Sequence, residues 1–375
     1  MPDCLCAWPT AWRSAADAAV WPDSSVKDGV PAVRLLIIKP SSLGDIVHSF
    51  PAVTLLKHCL PESRICWVAN DNLAALVSLL PDVDRVIEYP RQQLGRCSFR
   101  ALRNFWRDLR SEQYDVAIDF QGLLRSGLIA RASGAARRLG FATAREGATL
   151  FYTEKFLPPP ALKHAAEKNL ALVRHFFPCP TPTAPTALTV PLEWQEAADE
   201  VLPPDGQPLL AVGFSSRWES KNWDCEFFAS VLRLVLAQRP GLRCWLLGSA
   251  AERARGDEIL SLLPGHPSVI NLAGRTSLHS LTGLLRRSQA LLTNDSGPMH
   301  IAAALGIPCI ALFGATDPEL TGPYGEGLHL VFRSLCPDSP CFLRHCPRGP
   351  CSAGIAPQDV ATAILAKIPK ASPVA

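Results

Sequence analysis

The chain has 375 residues, 48% of them hydrophobic and 19% charged, with a formal net charge of +3; that is apolar mass for about two domains and too little positive charge for wholesale nucleic-acid binding. No apolar run reaches the roughly 18–20 residues that span a bilayer, and the first 30 residues, which carry Trp8, Trp12 and Trp21, lack the basic and apolar regions of a secretory leader. Residues 1–32 are therefore expected to be a disordered extension. Most of the thirteen cysteines fall in apolar runs, as do Cys66, Cys244 and Cys309, and suit small core residues of a reduced, cytoplasmic protein.

The first strand-like run, residues 35–38, breaks into the loop Pro40-Ser41-Ser42-Leu43-Gly44, and Asp45 follows at the opening of an amphipathic stretch. The carboxyl end of the first strand of an open α/β sheet is where ligands sit. A carboxylate at a helix N-terminus is also stabilised by free N–H groups, so Asp45 reads equally as a cap or as a functional group. The loop has neither the dinucleotide fingerprint nor the P-loop pattern. Further strand-like runs at 64–69, 84–89 and 114–120, with helix-like stretches between them, predict βαβ units and a parallel sheet. A helix is predicted over 99–110, with Arg100, Arg103, Arg107 and Arg110 within roughly 80° of each other and Phe99, Leu102, Phe105, Trp106 and Leu109 opposite. The arginine stripe is either a solvated face or one that meets anions or a membrane.

Residues 178–191 carry five prolines and predict a stiff, non-helical linker. Beyond it the pattern restarts, with strand-like runs at 209–214, 242–248, 269–272, 290–293 and 309–313. After the first of these come Ser215, Ser216, Arg217 and Lys221, a set of hydroxyls and cations ahead of a helix at 225–238 that suits a diphosphate. Glu252, after the next strand, is placed to accept from a ribose hydroxyl pair. Residues 290–306 repeat the strand, polar turn, helix design with Asn294, Asp295, Ser296 and Gly297 in the turn, Pro298 at the first helical position and His300 one turn in. Two such sites imply two α/β domains facing each other across a cleft: 33–177 and 208–355, joined by a Pro-rich linker over 178–207 and followed by a C-terminal helix and tail over 356–375. Cys336, Cys341, Cys346 and Cys351 are evenly spaced by five; they read as free thiols in a loop, or as a structural metal site or disulfide.

Taken together, KPSSLGDIVHSFPA, YDVAIDFQGLLRSGL, TAREGATLFY, HAAEKNLAL, SSRWESKNW, TNDSGPMHIAAALG and FGATDPELTGPYG resemble the bacterial ADP-heptose:lipopolysaccharide heptosyltransferases, glycosyltransferase family 9, from about residue 33 to 368. The first half looks like heptosyltransferase I and the cysteine segment more like heptosyltransferase II. Asp224 stands where the family pattern K-x-W-P has proline. The resemblance implies a GT-B enzyme of two Rossmann-like domains, with no cofactor and no essential metal, that inverts the transferred sugar. Asp45 would be the base. Ser215, Ser216, Arg217, Lys221, Glu252, Thr276, Asp295, Ser296, Gly297 and His300 would bind ADP-heptose, and Ser42, Gly44, Arg125 and Arg145 the lipid A–Kdo acceptor. It further implies a monomer at the inner face of the cytoplasmic membrane that binds no nucleic acid. The competing expectations are a nucleotide-sugar epimerase of the same shape, a transferase using another nucleotide sugar, and a non-enzymatic binding protein.

Overall fold

The computed structural model describes residues 33–94, 99–178, 186–347 and 354–368, so the expected extension 1–32 and Cys351 lie outside the described residues. Among the described residues twelve strands form two sheets. Strands β1 (Arg34–Ile38), β2 (Arg64–Asn70), β3 (Arg85–Tyr89), β4 (Val116–Asp119), β5 (Arg137–Phe141) and β6 (Glu154–Phe156) lie in the order β3-β2-β1-β4-β5-β6. Strands β7 (Leu209–Gly213), β8 (Arg243–Leu246), β9 (Val269–Asn271), β10 (Ala290–Asn294), β11 (Cys309–Phe313) and β12 (Leu330–Arg333) lie in the order β9-β8-β7-β10-β11-β12. Every described pairing is parallel. Both halves thus have the doubly wound Rossmann order, with topological switch points between β1 and β4 and between β7 and β10.

The central strands are continuous apolar runs because helices cover both of their faces; all five residues of β7, LLAVG, are buried. In the second half, Phe228, Val231, Leu232 and Val235 of the helix Cys225–Gln238 share one core with Val360 and Ile364 of the helix Pro357–Lys367. In the first half, Phe105 and Leu109 of the helix Phe99–Arg110 pack with Ile129 and Ala130 of the helix Leu124–Ala132 over β1, β2 and β3. Phe99 does not join them: at the first helical position it is 84% exposed.

Three strands escaped the sequence pattern. β5 and β6 are short outer strands rich in charge (Arg137, Arg138, Glu154, Lys155), and β12 is an exposed edge. Within the run expected as a linker, Leu192–Val201 is a helix started at Pro191. It buries Trp194 and Ala198 against the helix Leu278–Arg287, where a Cβ on Gly283 would lie 2.4 Å from the Trp194 carbonyl oxygen. An Arg287–Asp199 ion pair of 2.7 Å closes the contact. The upstream prolines extend the appearance of a linker over residues whose helical register is set by this packing.

One close approach fixes the outer part of the first sheet. A Cβ on Gly140 in β5 would stand 2.4 Å from the Tyr152 ring. The Tyr152 hydroxyl donates to Asp119 Oδ2 at 2.7 Å, and Asp119 Oδ1 accepts from the Gln121 and Gly122 N–H groups. Gly140→Ala should displace the ring and lower unfolding stability by about 1–3 kcal/mol. Urea titration of both proteins checks this; a change below about 0.5 kcal/mol would show the contact to be slack.

Candidate active site

The chemistry-bearing loops leave the carboxyl ends of strands, those of Asp45, Lys221 and Asp295 at the two switch points. After β1, Lys39 is buried and its Nζ donates to the Phe120 carbonyl at 2.9 Å, tying the β1 loop to the end of β4. Asp45 is the third residue of the helix Leu43–Val47, and its Oδ2 accepts from both the backbone N–H (3.0 Å) and the hydroxyl (2.7 Å) of Ser42. Burial alone would raise the Asp45 pKa; the charge of Lys39 and the two Ser42 donors outweigh it and hold the carboxyl below its ordinary value. Asp45 is therefore both a cap and an anion fixed in one orientation. Lys39 is itself pulled down by burial, against the pull of Asp45 and Asp119.

After β7, Ser215 and Ser216 are half-buried and Arg217 is exposed. The Ser216 hydroxyl donates to the Asp295 carbonyl at 2.9 Å. Lys221 Nζ donates to Asp295 Oδ2 at 2.6 Å, and Thr316 Oγ1 donates to the same oxygen at 2.6 Å. The Ser296 hydroxyl meets Thr293 Oγ1 at 3.0 Å. Glu252 caps the turn after β8, its Oε2 accepting from Ser249 N–H at 2.6 Å. Gly274 donates to the Gly248 carbonyl at 2.9 Å, which brings the loop of Thr276 beside that turn. Asp224 takes the N-cap position of the helix Cys225–Gln238, so the departure from the K-x-W-P pattern leaves the helix start in place.

The two halves meet at these loops. A Cβ on Gly44 would lie 2.5 Å from the His300 ring, and one on Gly297 3.4 Å from Leu43, so the helix Leu43–Val47 abuts the helix Gly297–Ala304. His300 is buried; desolvation lowers its pKa to about 4, with Asp45 acting to raise it and Lys221 to lower it. Both charges therefore act on one neutral imidazole from opposite halves. His48 lies alongside, its ring 4.6 Å from that of His300 and 5.0 Å from that of His164, with neither ring nitrogen hydrogen-bonded to the protein. Burial, followed by the charges of the other two histidines, holds its pKa well below the ordinary value.

A cavity of about 420 Å³ opens at the carboxyl ends of the first sheet, lined in part by Lys39, Asp45, His48, Thr143, Lys168 and Asn169. Ser42, Gly44, Arg125 and Arg145 do not line it. Gly44 packs on His300 instead, Arg125 lies over the Tyr89 ring at 5.2 Å, and Arg145 is exposed. The cations that line the cavity are Lys39 and Lys168, which the sequence reading passed over. Lys39 had a signal: it follows the first strand of its half, as the loop of Lys221 follows the first strand of the other. His48, Thr316 and Lys168 carried none, because their roles come from contacts distant in sequence.

The cysteine segment packs on the loops of Thr316 and Lys221. The Phe342 N–H donates to the Ala315 carbonyl (2.8 Å), Ser339 Oγ to the Gly314 carbonyl (2.6 Å), and the Ser220 N–H to the Arg344 carbonyl (3.2 Å). Arg344 stands 5.5 Å and Lys221 4.5 Å from the centre of the Trp218 ring. Cys336, Cys341 and Cys346 are free thiols. Among the described residues no three His, Cys, Asp or Glu side chains are grouped to hold a metal ion, and no helix is long and apolar enough to cross a membrane.

Two Rossmann-ordered halves, with an oriented carboxylate on one and a hydroxyl- and cation-bearing loop on the other, define a GT-B glycosyltransferase. The chain belongs to glycosyltransferase family 9 (heptosyltransferase), whose model matches residues 102–351. It is 30% identical over 330 residues to lipopolysaccharide heptosyltransferase 1 of Pseudomonas aeruginosa, covering 85% of this chain and 88% of that one. It is also 30% identical over 320 residues to lipooligosaccharide heptosyltransferase 2 of Haemophilus influenzae, covering 80% and 88%. The E. coli heptosyltransferase WaaC solved with ADP superposes with a TM-score of 0.72 at 26% identity, covering 89% of this chain and all of that one.

Buried neutral imidazoles make stability depend on pH. The folded-state pKa of His48 and His300 is depressed, so below about pH 6.5 the unfolded chain takes up protons that the folded chain refuses. Stability should be full above that pH and should fall toward pH 4, by about 1.4 kcal/mol per pH unit for each such imidazole. Urea titrations at several pH values test this, and His300→Gln should flatten the slope. An unchanged slope would place the proton uptake elsewhere.

Proposed function

We propose that the protein transfers heptose from ADP-heptose to the inner core of lipopolysaccharide, inverting the anomeric centre without need of a metal ion. The observation that carries this reading is the contact of Gly44 with His300, which sets the helix of Asp45 against the helix that follows Asp295, the partner of Lys221. Residues 33–177 would bind the acceptor, in the cavity of Asp45, Lys39 and Lys168. Residues 208–355 would bind the donor, with the diphosphate at Ser215, Ser216, Arg217 and Lys221 and at the helix start of Ser296 and Gly297, the adenosine beside Glu252 and Thr276, and heptose hydroxyls at Asp295. Arg125 and Arg145 would meet the acceptor's outer charges. The protein would work as a monomer in the cytoplasm, at the inner face of the membrane.

In the reaction an acceptor hydroxyl attacks the anomeric carbon from the face opposite ADP. The new C–O bond forms as the bond to the diphosphate oxygen breaks, the leaving ADP takes the electron pair, and the hydroxyl proton passes to Asp45. A carboxylate held below its usual pKa is a weak base toward a free alcohol. Transfer therefore accompanies bond formation, as the attacking oxygen gains positive charge and becomes acidic. Lys221 and Arg217 neutralise charge growing on the diphosphate, the task a metal ion performs elsewhere. His300, uncharged, fills the gap between the base and the donor loop without adding a competing cation.

Asp45→Asn keeps the Ser42 contacts in shape and should fold and bind ADP, yet lose at least about 10²-fold in kcat. Single-turnover transfer with ADP-heptose and a deacylated core acceptor, products identified by mass spectrometry, measures this; a kcat within about threefold of wild type would reduce Asp45 to a helix cap. The same assay with other nucleotide sugars tests the donor.

On the donor side, Lys221→Ala should weaken ADP binding and lower kcat, and Arg344→Ala should raise the donor KM by several-fold with little change in kcat, each long-range cation contributing on the order of 1 kcal/mol at low salt. EDTA should leave turnover unchanged. Loss of activity in EDTA restored by a divalent ion would sink the metal-free mechanism.

A further inference from the structure

The helices Phe99–Arg110 and Leu124–Ala132 lie on the same face of the first sheet, since Phe105, Leu109, Ile129 and Ala130 share one core. Their outer sides adjoin: Arg110 Nε donates to the Ala132 carbonyl at 3.5 Å. On that outer side two leucines one turn apart, Leu124 and Leu128, are 44% and 46% exposed. The turn Ala148–Phe151 packs on Gly127 of the same helix, where an added Cβ would lie 2.9 Å from the Phe151 ring, and this sets Leu150, 83% exposed, beside them. Leu157, 65% exposed, precedes Pro158 on the rim of the Asp45 cavity. Scattered exposed leucines need no explanation, but a group beside a substrate cavity marks an interaction surface.

The charge around this group is one-sided. Arg100, Arg103, Arg107 and Arg110 are exposed along the first helix and Arg131 along the second. The carboxylates nearby are engaged: Asp108 with Arg107 at 3.2 Å, Glu112 with Arg64 at 2.9 Å and Arg85 at 3.2 Å, and Glu146, whose Oε2 accepts from the Leu124 N–H at 3.2 Å. Apolar side chains flanked by guanidinium groups that outnumber the carboxylates near them fit one partner chemistry, an anionic lipid bilayer: leucines enter the acyl boundary while arginines meet phosphates.

We propose that Leu124, Leu128 and Leu150, flanked by Arg103, Arg107 and Arg131, dock the first half on an anionic membrane with the Asp45 cavity opening at its surface. This rests on the reading of the acceptor as lipid-linked and adds the face and the orientation. The arginines attract at a distance and lose their effect with salt; the leucines hold once contact is made and do not.

The test is sedimentation of the full chain with vesicles of phosphatidylethanolamine and phosphatidylglycerol, free of donor and acceptor, so that the outcome does not depend on transfer. The wild type should bind these and not phosphatidylcholine. Arg103→Gln with Arg107→Gln should weaken binding roughly tenfold or more at low salt, with the difference shrinking as salt rises. Leu124→Gln, Leu128→Gln and Leu150→Gln together should weaken it about tenfold or more at all salt concentrations. Both variants should turn over a soluble deacylated acceptor at the wild-type rate. Failure of the wild type to sediment overturns the proposal, as does a leucine variant that binds like wild type. Loss of binding on deleting residues 1–32, with the leucine variant unaffected, also overturns it and assigns docking to that extension. Vesicle binding without any heptose transfer would instead count against the transferase reading and leave the docking face standing.

Discussion

The constraint on which the site depends is the contact of two helix beginnings, one from each half, at Gly44 and His300. Neither half alone holds both the proposed base, Asp45, and the proposed leaving-group cation, Lys221. The two are brought together because position 44 has no side chain, and the space goes to an imidazole. Any larger residue at position 44 would push the helix Gly297–Ala304, and with it the turn of Asp295 and Ser296, away from the helix that carries Asp45. The glycine is needed for the close approach of one half to the other. Nothing about its backbone conformation demands it.

Burial around that contact sorts charge by position. Lys39 is buried and Asp45 half-buried, and each supports the ionised form of the other. Such a pair gains little net stability, because desolvation offsets much of the attraction. What it supplies is orientation, since Lys39 Nζ is held by the Phe120 carbonyl and Asp45 by Ser42. The histidines take the opposite course: His48 and His300 stay neutral, so neither adds a cation beside Lys221.

Much of this was legible in the sequence, and the reason is topological. In a doubly wound sheet the loops at the switch point are the ones that follow its first and fourth strands, and these central strands are apolar on both faces. They stand out as unbroken runs, and the residues after them announce themselves: Asp45 after β1, Lys221 after β7, Asp295 after β10. The outer strands β5, β6 and β12 lack that signature because they are half-exposed. The helix Leu192–Val201 was hidden by the prolines before it. Arg125 and Arg145 stand outside the Asp45 cavity for a different reason: whether a long side chain lines a cavity is decided by neighbours such as Tyr89, and sequence spacing does not encode that contact.

The cysteine segment shows how a motif with no legible chemistry can still bear on the site. Its backbone and Ser339 bond to Gly314 and Ala315 on one side and to Ser220 on the other, so it ties the loop of Thr316 to the loop of Lys221. Those two loops supply the partners of a single oxygen, Asp295 Oδ2, which takes Lys221 and Thr316 together. Lysine has three N–H donors, so on the proposed reading a diphosphate would share an ammonium already bonded to Asp295, while sugar hydroxyls would donate to the same carboxylate. One ion pair would then couple the two parts of a nucleotide sugar.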